Sequence, residues 1–244
     1  MSSNRFYRHR IAEPRLTSFS VAIKETDLWI AVSRDTYHAE LPSLVEKQIW
    51  NMRQPLESYL KEHPEILASL KPCILTPDAP EILKVMTRAG NRAGVGPMAA
   101  VAGAFAEAVG IYINSFSPEV IVENGGDIYL NVEKPVTVGI YAGNSPLSGK
   151  LALRVNPENT PSGICTSSGT VGPSISFGNA DAAIVVSQSA PLADAVATAL
   201  GNLVKNPDDM ESAIDFGKSI EGIKGILIIY GSRVAAWGSI ELKN

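Results

Sequence analysis

Cysteine and histidine are both scarce in this chain. Its 244 residues include two cysteines, Cys73 and Cys165, and three histidines, His9, His38 and His63. Two cysteines cannot build a disulfide framework, so a reducing cytoplasm is the expected compartment. The histidines are far from one another and from the small-residue loops. That argues against a histidine metal site and against a Ser-His-Asp triad. A dense Lys/Arg tract is also missing, and the net charge is −4. Nucleic acid is therefore not an expected partner, because phosphate binding needs clustered positive charge. Apolar runs such as Gly225-Ile226-Leu227-Ile228-Ile229-Tyr230 are too short to span a bilayer. The opening MSSNRFYRHR is basic, but no apolar stretch follows it, so no secretory signal is expected.

What is present suits a globular protein. The composition is 45% hydrophobic and 19% charged, ample for a core. No fixed repeat and no clean linker stand out, so one domain is expected over residues 1–244, with 1–16 as an N-terminal arm.

The segments alternate in type along the chain. Thr17 to Ile23 and Leu28 to Val32 are β-rich and flank a short polar turn, which reads as a hairpin. Apolar residues at 41, 44, 45, 49, 52, 56 and 60 follow a helical period, with Pro55 expected to break or kink it. A short helix is expected at Pro64 to Leu70, a proline-rich loop at Lys71 to Pro80, and another helix from Glu81 to Arg88. A glycine-rich turn then leads into a helix of very small residues, Met98 to Val109. Strands are expected at Val120 to Val122, Ile128 to Val132, Val136 to Tyr141 and Leu151 to Val155. Next come a polar loop from Gly163 to Gly178, a buried strand Ala182 to Val186, and a helix Pro191 to Val204. An acidic helix at Pro207 to Phe216 and a terminal meander of short strands complete the chain. The expected class is α+β, a largely antiparallel sheet with helices packed on one face.

Four constellations carry possible chemistry. Asp194 and Thr198 lie four apart on the Pro191 helix and share a face. They could offer two oxygens to Mg²⁺, or Asp194 could simply favour the helix N-terminus while Thr198 bonds back to a helix carbonyl. Asn124-Gly125-Gly126-Asp127 could let a backbone approach a ligand, or could simply turn a hairpin. Gly94-Val95-Gly96-Pro97 precedes a helix but is neither a Walker A nor a dinucleotide fingerprint. Cys165-Thr166-Ser167-Ser168-Gly169-Thr170 gathers hydroxyls around a cysteine that is either a buried inert thiol or a reactive one.

Taken in order, these motifs resemble the ApbE-like superfamily, the FAD:protein FMN transferases, a T-fold-related α+β architecture. The family's ADAxATAL-type helix supplies an Asp and a Thr to Mg²⁺, and Asp194 and Thr198 match them. Its NxGGD corner matches Asn124, Gly125, Gly126 and Asp127, and its TSG turn matches Thr166, Ser167, Ser168 and Gly169 with one extra serine. A backbone carbonyl at the start of the small-residue helix, near Ala100, completes the implied metal set. Three departures stand out, one being that the family's longer N-terminal flavin-binding stretch is not recognisable. The family's AKG lysine is absent at Ala102-Gly103, and no histidine occurs in Val171 to Gly178. The chain looks like a shorter, divergent branch without a lipobox.

The resemblance implies FAD and Mg²⁺ as cofactors and transfer of FMN to a Ser/Thr of an acceptor protein, with Asp194 as the central residue. Two alternatives stand beside it. The missing lysine and histidine suggest a flavin or nucleotide binder that does not transfer, and Cys165 suggests a sulfur-relay thiol carrying a persulfide. A homodimer is the default assembly.

Overall fold

The computed structural model describes residues 13–169 and 178–243. Thr170, the histidine-free stretch 171–177 and most of the expected arm lie outside the described residues.

The sheet is antiparallel throughout. Strands β1 (Leu16–Ile23) and β2 (Thr26–Ser33) form the expected hairpin around Lys24 and Glu25. β3 (Val120–Asn124) and β4 (Asp127–Asn131) form a second hairpin. β7 (Ser162–Ser167), β8 (Ala182–Ser187), β9 (Ile223–Tyr230) and β10 (Arg233–Gly238) follow, giving the order β1-β2-β3-β4-β7-β8-β9-β10. A smaller sheet, β11-β6-β5, is made from β5 (Val136–Gly139), β6 (Ala152–Val155) and β11 (Leu242–Lys243).

Strand alternation sends neighbouring residues to opposite faces of the large sheet. Val120, Val122, Tyr129, Cys165, Ala183, Val185, Ile226 and Ile228 pack against the helices. Ile121, Ile128, Leu130, Ile164, Ala182, Ile184, Leu227 and Ile229 pack against the small sheet. Near-continuous apolar strands such as Ala182 to Val186 are therefore buried on both sides. The helices occupy one face, as expected.

Those helices are α1 (Leu41–Glu62), α2 (Pro64–Ala68), α3 (Glu81–Ala93), α4 (Val101–Asn114), α5 (Ala190–Leu203) and α6 (Met210–Lys218). Of the break or kink expected at Pro55, the break does not occur, and α1 runs through it. Proline in a helix interior costs about 3 kcal/mol. Leu41, Val45 and Ile49 before it and Leu56, Tyr59 and Leu60 after it are buried, and that burial outweighs the penalty. α3 also continues past the expected end at Arg88 to Ala93, because Ala89, Gly90 and Ala93 extend its buried face. The stretch Pro97–Asn114, a 3-10 turn followed by α4, is long and apolar enough to cross a membrane by length and composition. Here it lies against β3, β4 and α5, with Gly103, Ala104, Phe105, Ala106, Val109 and Ile113 buried.

Two further expectations need correction. The front of the expected polar loop is strand β7, which pairs with both β4 and β8. Its small polar residues satisfy their backbone groups in the ladder rather than in turns. The terminal meander also does not stay in one sheet. β11 leaves β10 and pairs with β6, where Leu242 faces Leu153.

Candidate active site

Three stretches far apart in sequence meet at one end of the helical face. The first is the β3–β4 corner. Gly125 and Gly126 have φ of +70° and +108°, a region that side chains rarely tolerate. The turn sets Asn124 directly opposite Asp127, so the two share the helix-facing side. Gly126 N–H donates to Glu123 Oε1 at 2.7 Å, tightening the corner from the other face.

The second stretch is the start of α4. Asn124 Nδ2 donates to the Ala102 carbonyl at 3.1 Å, tying the corner to this helix. The third is α5, whose Asp194 accepts the Gly103 N–H on Oδ2 at 2.9 Å. Close approach makes this possible. A Cβ on Gly103 would lie 2.5 Å from the Ala190 carbonyl oxygen, and one on Gly163 of β7 would lie 2.3 Å from Ala190 Cα. Helix α5 thus sits with its first turn against bare backbone of both α4 and β7.

Cys165 and Asp127 complete the cluster. The Cys165 thiol donates to the Ala190 carbonyl at 3.3 Å and also stands against the Asp127 carboxylate. Asp127 Oδ1 accepts the Thr166 N–H at 3.3 Å. On α4, Glu107 accepts the Ala190 N–H at 2.6 Å.

Electrostatically the site is crowded with acid. Burial pushes Asp127 up to about 7, and Glu123 adds repulsion, while the Cys165 thiol and the Thr166 amide pull the other way. Burial, and then the charge of Asp127, drive Asp194 well above the carboxylate range, against the pull of the Gly103 and Ala102 amides. Burial drives the Cys165 thiol well up as well, with both aspartates adding to the effect. Glu107 is raised by burial and partly restored by Ala190 N–H. Neither aspartate has a lysine or arginine against it among the described residues. Buried carboxylates without a counter-charge are costly, and a bound cation would relieve that cost.

The available donors suit a hard cation. Asp194 contributes carboxylate oxygens. Thr198, half-buried one turn later, has a hydroxyl with no hydrogen-bond partner among the described residues. Ala100, buried, is the last residue before α4. Among the described residues no three His, Cys, Asp or Glu side chains gather in a way that could hold a metal. A cation here would rest on one carboxylate plus hydroxyl and carbonyl oxygens, a set Mg²⁺ accepts when phosphate and water complete its shell.

Asn124, Asp127, Cys165, Thr166 and Asp194 are thus linked through direct hydrogen bonds or the single α4 turn between them. Ser167 and Ser168 are half-buried where β7 ends, and the exposed Gly169 donates its N–H to the Ala180 carbonyl. The surroundings of Cys165 give sulfur relay no support, since the thiol is fully buried and its thiolate is disfavoured. Sequence reasoning missed Glu107 and the amide of Gly103. Glu107 did carry a signal, as the lone charge on an otherwise apolar helix. A cavity of about 190 Å³ lies elsewhere, lined by Arg154, Ser162, Ile164, Lys224 and Glu241 among others, and no residue of the acid cluster lines it.

Comparison with known proteins agrees with this architecture. The family model described as AbpE bacteria matches residues 8–235. A UPF0280 protein of Methanococcus aeolicus is 42% identical over 225 residues, covering 90% of this chain and 89% of its own length. A UPF0280 protein of Methanosarcina acetivorans is 43% identical over 220 residues, covering 89% of this chain and 85% of its own. Among solved structures, the apo flavinyl transferase ApbE of Pseudomonas stutzeri superposes with a TM-score of 0.61 at 13% identity, covering 91% of this chain and 94% of that one. The ApbE protein of Thermotoga maritima gives 0.58 at 13% identity, covering 93% and 96%. At that identity the structural likeness establishes the ApbE-like fold.

Proposed function

The chain belongs to the AbpE bacteria family, and from that premise we propose that it binds FAD with Mg²⁺ at the acid cluster and transfers the FMN half to a serine or threonine hydroxyl of an acceptor protein. One observation carries this reading. The NGGD corner, the start of α4 and the Asp194 helix converge through direct hydrogen bonds on a site rich in buried acid. The flavin-transferase names of the fold neighbours support the choice of ligand.

Asp194, Thr198 and the backbone carbonyl at Ala100 are the oxygens that would hold Mg²⁺, whose charge would stabilise the departing phosphate. The chain's own residues set the stage. Gly103 N–H holds the Asp194 carboxylate in place, and Asn124 holds the α4 backbone beside it. Space is open where a Cβ on Gly125 would stand, so a flat ring or a phosphate can reach the corner's backbone. Thr166, Ser167 and Ser168 bring hydroxyls to the end of β7. In the reaction the acceptor oxygen forms a new bond to the FMN phosphorus, the pyrophosphate P–O bond breaks, AMP departs with the electron pair, and the hydroxyl proton is released.

Calorimetric titration with FAD, with and without Mg²⁺, on wild type and Asp194→Ala tests the binding. Magnesium-dependent affinity that the variant loses supports the reading, and no affinity under either condition defeats it. Mass spectrometry of a Ser/Thr acceptor peptide incubated with FAD and Mg²⁺ then tests the transfer.

A second reading, flavin binding without transfer, has its own observation. The described histidines lie away from the cluster: His38 is exposed ahead of α1, and His63 packs on Tyr59 at the far end of that helix. Ala102 stands where the family pattern has lysine. Tight FAD binding with no FMN-peptide product would favour this reading.

A further inference from the structure

Helices α4 and α5 cap each other. The Asp194 carboxylate of α5 accepts the N–H of Gly103, the third residue of α4. The Glu107 carboxylate of α4 accepts the N–H of Ala190, the first residue of α5. Both amides belong to the first-turn donors that a helix leaves without an internal partner. Neither helix has a side-chain cap of its own. Ala100 has no capping atom, and Ser189 makes no cap bond. Gly103 and Glu107 are one helical turn apart on one face of α4, and Ala190 and Asp194 are one turn apart on one face of α5. The two hydrogen bonds therefore close a ring through one turn of each helix. Gly103 lets the ring close, because any Cβ there would strike the Ala190 carbonyl.

We infer that Glu107 is a positioning residue, whose hydrogen bond to Ala190 sets the depth and rotation of the first turn of α5 and so the place of the Asp194 carboxylate. The use of that placement, to present Asp194 to a cation, rests on the proposed function; the mechanical coupling does not. Capping alone would be a weak reason for this arrangement. A local Ser, Thr or Asp at the N-cap satisfies a helix start without drawing a half-buried acid from a second helix. A carboxylate reaching across from α4 also locks the two helices in register.

Amide hydrogen exchange on the metal-free protein tests the coupling, with Val185 in the central strand β8 as the reference for global opening. Glu107→Ala is expected to speed exchange at Ala190 and also at Gly103, the amide at the other end of the ring, by about ten- to a hundredfold relative to that reference. Glu107→Gln keeps an acceptor oxygen at the same reach and should retain protection at both amides. Glu107→Asp keeps the charge but is one methylene short, and should behave like the alanine variant. A second readout is the Mg²⁺ midpoint in the FAD titration. It should rise in the Ala and Asp variants and stay at the wild-type value in Gln. Unchanged exchange at Gly103 in Glu107→Ala would overturn the inference, and so would Gln behaving like Ala. If wild type binds no FAD, the proposed function fails, while the exchange result still decides the coupling.

Discussion

Asp194 and Gly103 are 91 positions apart in the chain, yet the carboxylate of one holds the backbone amide of the other at 2.9 Å. That single bond places an acid from α5 at the beginning of α4, inside the protein and beside a second buried acid, Asp127. An aspartate in such a place destabilises the fold unless something positive joins it.

Asp194→Asn should therefore separate stability from function. Asparagine keeps an oxygen for Gly103 and removes a charge that burial and Asp127 disfavour. The metal-free variant is expected to melt at a higher temperature than wild type, as differential scanning calorimetry would register. Its Mg²⁺-dependent FAD binding should fall by at least about tenfold, the scale of one lost charge-assisted contact. A lower melting temperature would show that the charge is compensated in the native protein.

Asp127 predicts the pH dependence of the metal-free protein. Its folded value of about 7 lies above the ordinary 3.8. Between those values the native state keeps a proton that the unfolded chain has released. The contribution of Asp127 is thus full below pH 3.8 and is lost as pH rises through 7, with a slope of at most about 1.4 kcal/mol per pH unit. Urea unfolding at a series of pH values in chelator should show a shallower decline for Asp127→Asn than for wild type. Parallel curves would mean that Asp127 titrates alike in the folded and the unfolded chain.

Gly163→Ala tests the seat of α5. The added methyl would stand 2.3 Å from Ala190 Cα and 2.6 Å from its nitrogen, so the helix must move off β7. A loss of about 1–3 kcal/mol in urea unfolding is expected, the usual cost of overpacking. Magnesium-dependent FAD affinity should fall with it, because Ala190 and Asp194 share that helix.

The two cysteines should react at different rates. Cys73 is partly accessible and Cys165 is fully buried. Burial raises both thiols, Cys165 well above the usual range, so accessibility decides the order. Native-state iodoacetamide labelling followed by mass spectrometry should modify Cys73 first and reach Cys165 only as the protein unfolds. Early labelling of Cys165 would reopen a sulfur-transfer role.

Much of the fold was readable because its signals are local. The hairpin at Lys24 and Glu25, the NGGD corner, the small-residue helix and the ADAVATAL helix each carry their own period or turn chemistry. Sequence reasoning went wrong where tertiary burial overrode a local preference, as at Ala89 to Ala93 of α3, or where polar residues entered a ladder, as at Thr166 and Ser167 in β7. The tail was misplaced because strand pairing between residues far apart in sequence has no local signature, as with Leu242 and Leu153.

By itself the sequence determined the α+β class and the order of most of the elements, since periodicity and glycine placement act over a few residues, while Asn124, Asp127, Asp194 and Thr198 stood out only through the resemblance of their motifs to a known family. Only the tertiary structure decided that Asp127, Asp194 and Cys165 share one buried neighbourhood with the half-buried Glu107 close by, and that α4 and α5 hold each other by their first turns. The reason is physical. Burial and electrostatic repulsion depend on distance in space, and no pattern along the chain states which residues folding will bring within a few ångströms of one another.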